Sequence, residues 1–277
     1  MQKVSNIIPY FKSELRGFNR EREIVSWGYI VMHFLLGYTR SDCIVHADRN
    51  ISVKISNQIK TIVRQLKSKK PIHYILGEIQ FFGLTFKVNE NVLIPRSETE
   101  ELVKWILECS FQSVLDIGTG SGCIAISLAK NSSAQVSALD ISSSALEVAQ
   151  HNAKINDVDI KFLTFDVFTS KFNNKYDLIV SNPPYVLEKE KRSIDPNVLE
   201  YEPHLALFVP NNNPLKFYER IITLASKSLN EGGVLFFEIN EKYGQKISTS
   251  LQRAGFVDIE LKKDINDKDR MLKAIWK

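Results

Sequence analysis

The sequence predicts an α/β protein in two parts: a small all-helical domain, then a Rossmann-like domain on a seven-stranded, mostly parallel sheet. Three observations predict the second part. Val114-Leu115-Asp116-Ile117 is a short apolar strand that runs into Gly118-Thr119-Gly120-Ser121-Gly122 and then an apolar helix containing Ile124, Ala125, Ile126, Leu128 and Ala129. A second strand, 135–139, ends in Asp140, and a later apolar run, Leu178-Ile179-Val180, ends close before Asn182-Pro183-Pro184-Tyr185. Strand, glycine loop and helix, an acidic strand end and a proline-rich strand end, in that order, fall at the carboxyl edge of one parallel sheet, where α/β folds bind ligands.

The elements follow in chain order. Residues 1–70 read as helical, clearest where Ile55, Ile59, Ile62, Val63 and Leu66 recur at helical spacing and in the apolar run 30–36. His33 and His46 have no neighbours of metal-ligand type, and the basic run 67–70 reads as a solvated helix end. Pro71 closes this domain and opens a connector, 71–110. Within it, 79–88 reads as a β-hairpin with Gly83 at or near the turn, and Ser97 with Glu100 predicts a capping box opening a helix to about Cys109. The remaining domain, 111–277, adds a third strand over 160–165 ending at Asp166, a helix over 214–229 and a fifth strand over 233–239. The last two strands, 256–261 and 271–276, are joined too briefly for a crossover, so they must be antiparallel. Residues 186–213, with Pro196, Pro203 and Pro210, read as a long irregular loop placed to cover the site.

The glycine loop lets the backbone approach a ligand closely, and the following helix offers free N–H groups. Glycines stand at 118, 120 and 122, whereas a dinucleotide fingerprint wants the third one position later, where Cys123 sits. That argues against a pyrophosphate, while Asp140 is placed to accept hydrogen bonds from both hydroxyls of a ribose. A nucleoside without phosphates fits, and S-adenosylmethionine is one whose sulfonium methyl needs no metal or redox partner to be transferred. A planar NH2 is a poor nucleophile because its lone pair is delocalised. Here the Asn182 oxygen can accept one N–H, the Pro183 carbonyl the other, and the Tyr185 ring can lie against the plane. Consecutive prolines fix these acceptors in advance. The seven-stranded outline with one reversed strand is that of a class I S-adenosylmethionine-dependent methyltransferase.

Composition bounds the alternatives. The chain has 277 residues, 44% of them hydrophobic, and a formal net charge of +4, which marks no dedicated nucleic-acid binder. Cys43, Cys109 and Cys123 are scattered, so they read as reduced thiols and not as a zinc site. No signal segment or membrane span is visible, and a cytoplasmic location is expected.

Pro71-Ile72-His73-Tyr74-Ile75-Leu76-Gly77-Glu78, Phe81-Phe82-Gly83-Leu84 and Leu93-Ile94-Pro95-Arg96-Ser97-Glu98-Thr99-Glu100 closely resemble the release factor glutamine methyltransferases, the PrmC or HemK family. So do the glycine loop, Asp140, Val180-Ser181-Asn182-Pro183-Pro184-Tyr185, Glu202-Pro203 and Asp269-Arg270. The resemblance spans most of the chain from residue 71 onward. It implies methyl transfer to the side-chain amide nitrogen (N5) of the glutamine in the Gly-Gly-Gln motif of class I peptide-chain release factors. It also implies cofactor contacts at Gly118, Thr119, Gly120, Ser121, Gly122, Asp140, Val167 and Asn182, with Asn182, Pro183, Pro184 and Tyr185 holding the glutamine. Departures are Ser97, where the family often has proline, Val167, where it often has a large ring, and the 209–214 segment, where many members are glycine-rich. The expected mechanism is direct in-line displacement without a metal, giving S-adenosylhomocysteine, with no strong general base; Glu188 reads as a solvated loop charge. A monomer without sequence-specific nucleic-acid or membrane binding is expected, the helical domain serving substrate recognition. Two rivals are an adenine amino-methyltransferase of RNA or DNA using the same four residues on a flipped base, and a non-catalytic cofactor-sensing or ribosome-associated binding protein.

Overall fold

The computed structural model describes residues 2–170 and 174–277. The chain divides into two compact units, Met1–Gly77 with Pro196–Tyr201, and Glu78–Asp195 with Glu202–Lys277.

The first unit is helical: α1 (Ile7–Glu14), α2 (Glu21–Leu36), α3 (Arg40–Val45), α4 (Val53–Lys67) and α5 (Ile72–Leu76). Thr39 and Asp42 form a reciprocal capping box that starts α3, and the Ser52 hydroxyl accepts the Ile55 amide to start α4. Gly37 and Gly77 end α2 and α5 in the left-handed conformation. Ile7, Phe11 and Leu15 from the first helix and its end pack with Val31, Ile59 and Val63 in one buried cluster. Gly28 lets α1 and α2 approach closely, since a Cβ there would lie 2.4 Å from Ile8 Cδ1.

The second unit opens with a hairpin, β1 (Glu78–Phe81) and β2 (Leu84–Lys87). Phe81 pairs with Leu84 across a two-residue turn whose Phe82 and Gly83 both have positive φ, 49° and 74°. That is the type I′ geometry that matches strand twist. Helix α6 (Ser97–Ile106) follows, but not by the expected capping box. Ser97 is already the first helical residue and its hydroxyl donates to Glu98. The Glu100 carboxylate accepts the Phe82 amide at 2.6 Å instead, so a tertiary partner in the hairpin turn has outcompeted the local one.

Seven strands then build the main sheet: β3 (Ser113–Ile117), β4 (Gln135–Asp140), β5 (Lys161–Thr164), β6 (Tyr176–Ser181), β9 (Leu229–Glu238), β10 (Phe256–Lys263) and β11 (Asp269–Trp276). The short β7 (Val186–Leu187) and β8 (Phe208–Val209) form a separate two-stranded parallel sheet. The order in the main sheet is β10-β11-β9-β6-β3-β4-β5, with β11 antiparallel to both neighbours and the remaining pairs parallel. The expected seven-stranded, mostly parallel sheet with one reversed strand is present. Side chains alternate across it as the pleat demands. Leu115, Ile117 and Ile179 join Tyr218 and Ile222 of α10 (Lys216–Ser228) and Ile247 of α11 (Gly244–Ala254). Val114, Leu178 and Val180 join Leu102 and Trp105 of α6 and Ile124 of α7 (Cys123–Asn131) on the opposite face. Strand β3 has β4 on one side and β6 on the other, so the order reverses there and a crevice opens beyond its carboxyl end.

Residues 186–213 are less irregular than expected. They hold β7, a 3-10 segment Glu188–Ser193, helix α9 (Pro196–Tyr201), a 3-10 turn His204–Ala206 and β8. Each piece is too short to show a periodic apolar pattern, and Pro196 stands at the first position of α9, where a missing N–H costs nothing. Helix α9 belongs to the first unit, where the Tyr201 hydroxyl donates to the Ser68 carbonyl at 2.9 Å. Among the described residues no helix is long and apolar enough to cross a membrane.

Candidate active site

A cavity of about 370 Å³ lies at the carboxyl ends of β3, β4 and β6, within the range of small-molecule sites. Its lining includes Gly118, Thr119, Gly120 and Ser121, then Asp140, Val167, Asn182, Pro183 and Pro184. The structure thus brings together most residues singled out from the sequence. Gly122 and Tyr185 are not in the lining.

The glycine loop is held from below. Gly118 and Thr119 donate their amides to the Leu139 carbonyl at 2.8 and 2.9 Å, tying the end of β3 to the end of β4. Gly118 and Gly120 have φ of 75° and 54°, with open space where a Cβ would stand. Their need for glycine is conformational. Gly122 differs: a Cβ there would lie 2.8 Å from Ile126 Cδ1 and 3.2 Å from Ala149 Cβ. Its smallness seats α7 against α8 (Ser143–Ile155).

Asp140 accepts the Gly120 amide at 2.8 Å on one oxygen and the Ser142 amide at 2.9 Å on the other. Each oxygen keeps lone-pair capacity for a further donor. Burial lifts this carboxyl above its ordinary value, opposed by those two amides and that of Ile141. Asp116 lies beneath the loop, 1% exposed. One of its oxygens accepts the Thr119 hydroxyl at 2.7 Å, and the other has no partner among the described residues. Burial pushes Asp116 up to about 7, with the nearby Asp140 charge adding to the effect and the Thr119 hydroxyl opposing it.

Opposite the loop, the Ser181 hydroxyl donates to the Ile117 carbonyl at 2.7 Å and fixes the start of the Asn182–Tyr185 turn. No hydrogen-bond partner among the described residues occupies the amide of Asn182, a half-buried residue in the cavity lining. The Tyr185 ring packs against the core and its hydroxyl lies 3.3 Å from Glu238 Oε1. Val167 borders the cavity with its carbonyl held by the Arg220 guanidinium, and the neighbouring Phe168 ring meets Phe217 edge-to-face at 5.2 Å.

Several further residues escaped the sequence reading as site components. Glu202 is 4% exposed and accepts the Arg96 guanidinium at 2.6 Å and the Ile94 amide at 3.2 Å, holding one cavity wall. Glu238 is 2% exposed at the end of β9. A charged residue interrupting Val234-Leu235-Phe236-Phe237 and Ile239 was the available signal. Phe168 and Phe217 supply the aromatic surface that Val167 lacks, and only the structure shows that they share a wall. Among the described residues no group of three or more His, Cys, Asp or Glu could hold a metal ion.

The sheet order, the glycine loop at its switch point and the acidic end of the next strand define an S-adenosylmethionine-dependent methyltransferase. A family model described as the methyltransferase small domain matches residues 97–200, and one described as the PrmC N-terminal domain matches residues 8–77. The fold resembles a methyltransferase from Pyrococcus furiosus (TM-score 0.55, 17% identity, 81% of this chain and 98% of that one). It also resembles the T. thermophilus 16S rRNA methyltransferase RsmC (TM-score 0.51, 18% identity, 72% and 50%). The release factor glutamine methyltransferase of Flavobacterium psychrophilum is 48% identical over 98% of both chains. That of Bacteroides thetaiotaomicron is 41% identical over 98% of this chain and 99% of its own. The chain belongs to the release factor glutamine methyltransferase family.

Proposed function

We infer that this protein transfers a methyl group from S-adenosylmethionine to the side-chain amide nitrogen of the Gly-Gly-Gln glutamine in class I release factors. The observation that carries the reading is the unpartnered Asn182 amide on the wall of the cavity that also holds the glycine loop and Asp140. Family membership selects the glutamine of a release factor over adenine.

The residues present fit the cofactor. Gly118 and Gly120 take the positive φ that shapes the cradle, and Asp140, fixed by two amides, has capacity for two ribose hydroxyls. Thr119, Ser121 and Val167 border the same space. When bound, the cofactor supplies a methyl on an electron-poor sulfonium. The Asn182 oxygen accepts one N–H of the glutamine amide and the Pro183 carbonyl the other, which fixes the nitrogen for in-line attack and strengthens as positive charge develops there. The new N–C bond forms as the S–C bond breaks, S-adenosylhomocysteine leaves, and the amide proton passes to water. No step is assigned to a metal. Pro184 keeps the turn rigid, and to Tyr185, which is not in the cavity lining, we assign the flat face of the glutamine amide. Gly122 serves the loop through helix packing. We assign substrate recognition to the helical unit, and place the protein in the cytoplasm as a monomer without sequence-specific nucleic-acid or membrane contacts.

Incubation of the purified protein with labelled S-adenosylmethionine and a class I release factor should add one methyl to the Gly-Gly-Gln glutamine, located by mass spectrometry. A release factor with alanine in place of that glutamine should stay unlabelled, as should naked DNA and RNA. Asn182→Ala should nearly abolish turnover. Label on the alanine variant or on adenine would overturn the reading.

A further inference from the structure

The Asn182–Tyr185 turn is fixed at its start by Ser181 and at its end by a buried carboxyl that the mechanism above does not use. Glu238 is 2% exposed, at the last position of β9, in register with Met271 of the reversed strand. Burying a carboxylate is costly unless its oxygens are satisfied. Here each oxygen has its own donor: the Thr99 hydroxyl at 2.6 Å on Oε2 and the Tyr185 hydroxyl at 3.3 Å on Oε1. Thr99 is itself 2% exposed and borders the cavity. The Asn240 amide, two residues beyond Glu238, donates to the Tyr185 carbonyl at 3.4 Å. The Tyr218 hydroxyl donates to the Glu238 carbonyl at 3.2 Å, fixing the backbone from which the carboxyl projects.

We propose that Glu238 is a positioning residue for methyl transfer: buttressed by Thr99, it anchors the Tyr185 hydroxyl and so sets the ring against which the substrate amide lies. This rests on the glutamine-transfer reading. Tyr185 has a ring packed against the core and a hydroxyl whose hydrogen bond is to Glu238, so the ring's orientation depends on that partner. Glutamine at 238 keeps an oxygen for Tyr185 and offers an N–H to the Thr99 oxygen, whereas methionine fills the space with no polar partner. A group that merely stabilised the fold would respond to both changes through melting temperature and cofactor affinity alike.

The test is steady-state kinetics on a class I release factor, with cofactor binding by calorimetry, for Glu238→Gln, Glu238→Met, Tyr185→Phe and the Glu238→Met, Tyr185→Phe pair. Expected are a kcat within about threefold of wild type for Glu238→Gln, and a loss of about tenfold or more for Glu238→Met and for Tyr185→Phe. The double variant should be no worse than the poorer single one, because both remove one contact. Cofactor affinity should stay within about twofold throughout. Multiplying losses in the double variant, or a Glu238→Gln as poor as Glu238→Met, would overturn the proposal. Should Glu238→Met fail to fold, Thr99→Val with Tyr185→Phe runs the same cycle on the other side of the carboxyl. A crystal structure of Glu238→Met or Thr99→Val with the Tyr185 ring unmoved would also overturn it. Wild-type enzyme on the same release factor is the separate control: its inactivity would overturn the substrate reading, which the ring position does not depend on.

Discussion

At the scale of single residues, two carboxyls beside the glycine loop, Asp116 in β3 and Asp140 at the end of β4, behave differently. Asp140 lines the cavity, and its replacement by alanine removes a charged acceptor from the proposed ribose hydroxyls and a partner from the Gly120 amide. Cofactor affinity should fall about ten- to a hundredfold, or ~1.5–3 kcal/mol, by titration calorimetry. Unchanged affinity would remove Asp140 from the site. Asp116 reports through stability instead. Its carboxyl titrates near 7 in the fold against an ordinary value of 3.8, so the folded state retains a proton that the unfolded chain has lost. Its stabilising contribution is complete below about pH 4 and is lost as pH rises through 7. Asp116→Asn should therefore match the wild-type unfolding free energy near pH 4 and exceed it at pH 8, by on the order of 2–4 kcal/mol without ligand. An offset independent of pH would show that the charge is not the cause. Asp140 was legible from sequence because strand order alone places it; the unpartnered oxygen of Asp116 was not, because it depends on where Thr119 turns.

At the scale of elements, the glycine loop combines two different requirements. Gly118 and Gly120 are glycines for backbone conformation beside open space, Gly122 for the approach of α8 to α7. Gly122→Ala places a methyl at positive φ within 2.8 Å of Ile126 Cδ1. It should cost about 1–3 kcal/mol in denaturant unfolding while weakening cofactor binding less than Asp140→Ala does. An unchanged unfolding midpoint would contradict the packing role. The sheet strands were legible because β3, β6 and β9 are buried on both faces and read as apolar runs. The start of α6 was misread because Glu100 satisfies a hairpin amide in place of its own helix end. The contents of 186–213 were hidden because pieces of two to six residues carry no period.

At the scale of the molecule, charge is unevenly shared. Residues 1–77 contain 13 Lys and Arg against 5 Asp and Glu, while the whole chain carries only +4. Net composition concealed this. Glu14 and Asp48 are paired with Lys67 and Lys3, and Glu21 with Lys12, so much of the acidic complement is neutralised internally. A fragment lacking residues 1–77 leaves α9 without the Ser68 carbonyl that its Tyr201 holds. That fragment should bind S-adenosylmethionine with near-normal affinity, since the cavity lining runs from Asn91 to Ile221. Its kcat/KM on release factor should fall by more than about tenfold, and the intact enzyme should lose activity on that substrate as salt rises. Full activity of the fragment would remove any substrate role from the helical unit.

The reversed strand also sets an order in time. Strand β10 precedes β11 in the chain, yet among the described residues β11 is its only hydrogen-bonded neighbour in the main sheet and stands between it and β9. Strand β10 therefore has no partner in the sheet until Asp269–Trp276 is in place. The two strands can then close as a local hairpin and dock on β9 together, a low-separation contact completing a sheet whose other pairings span long crossovers. Until then the nascent protein presents β9 as an open edge, the surface on which a chaperone or a misplaced strand would compete.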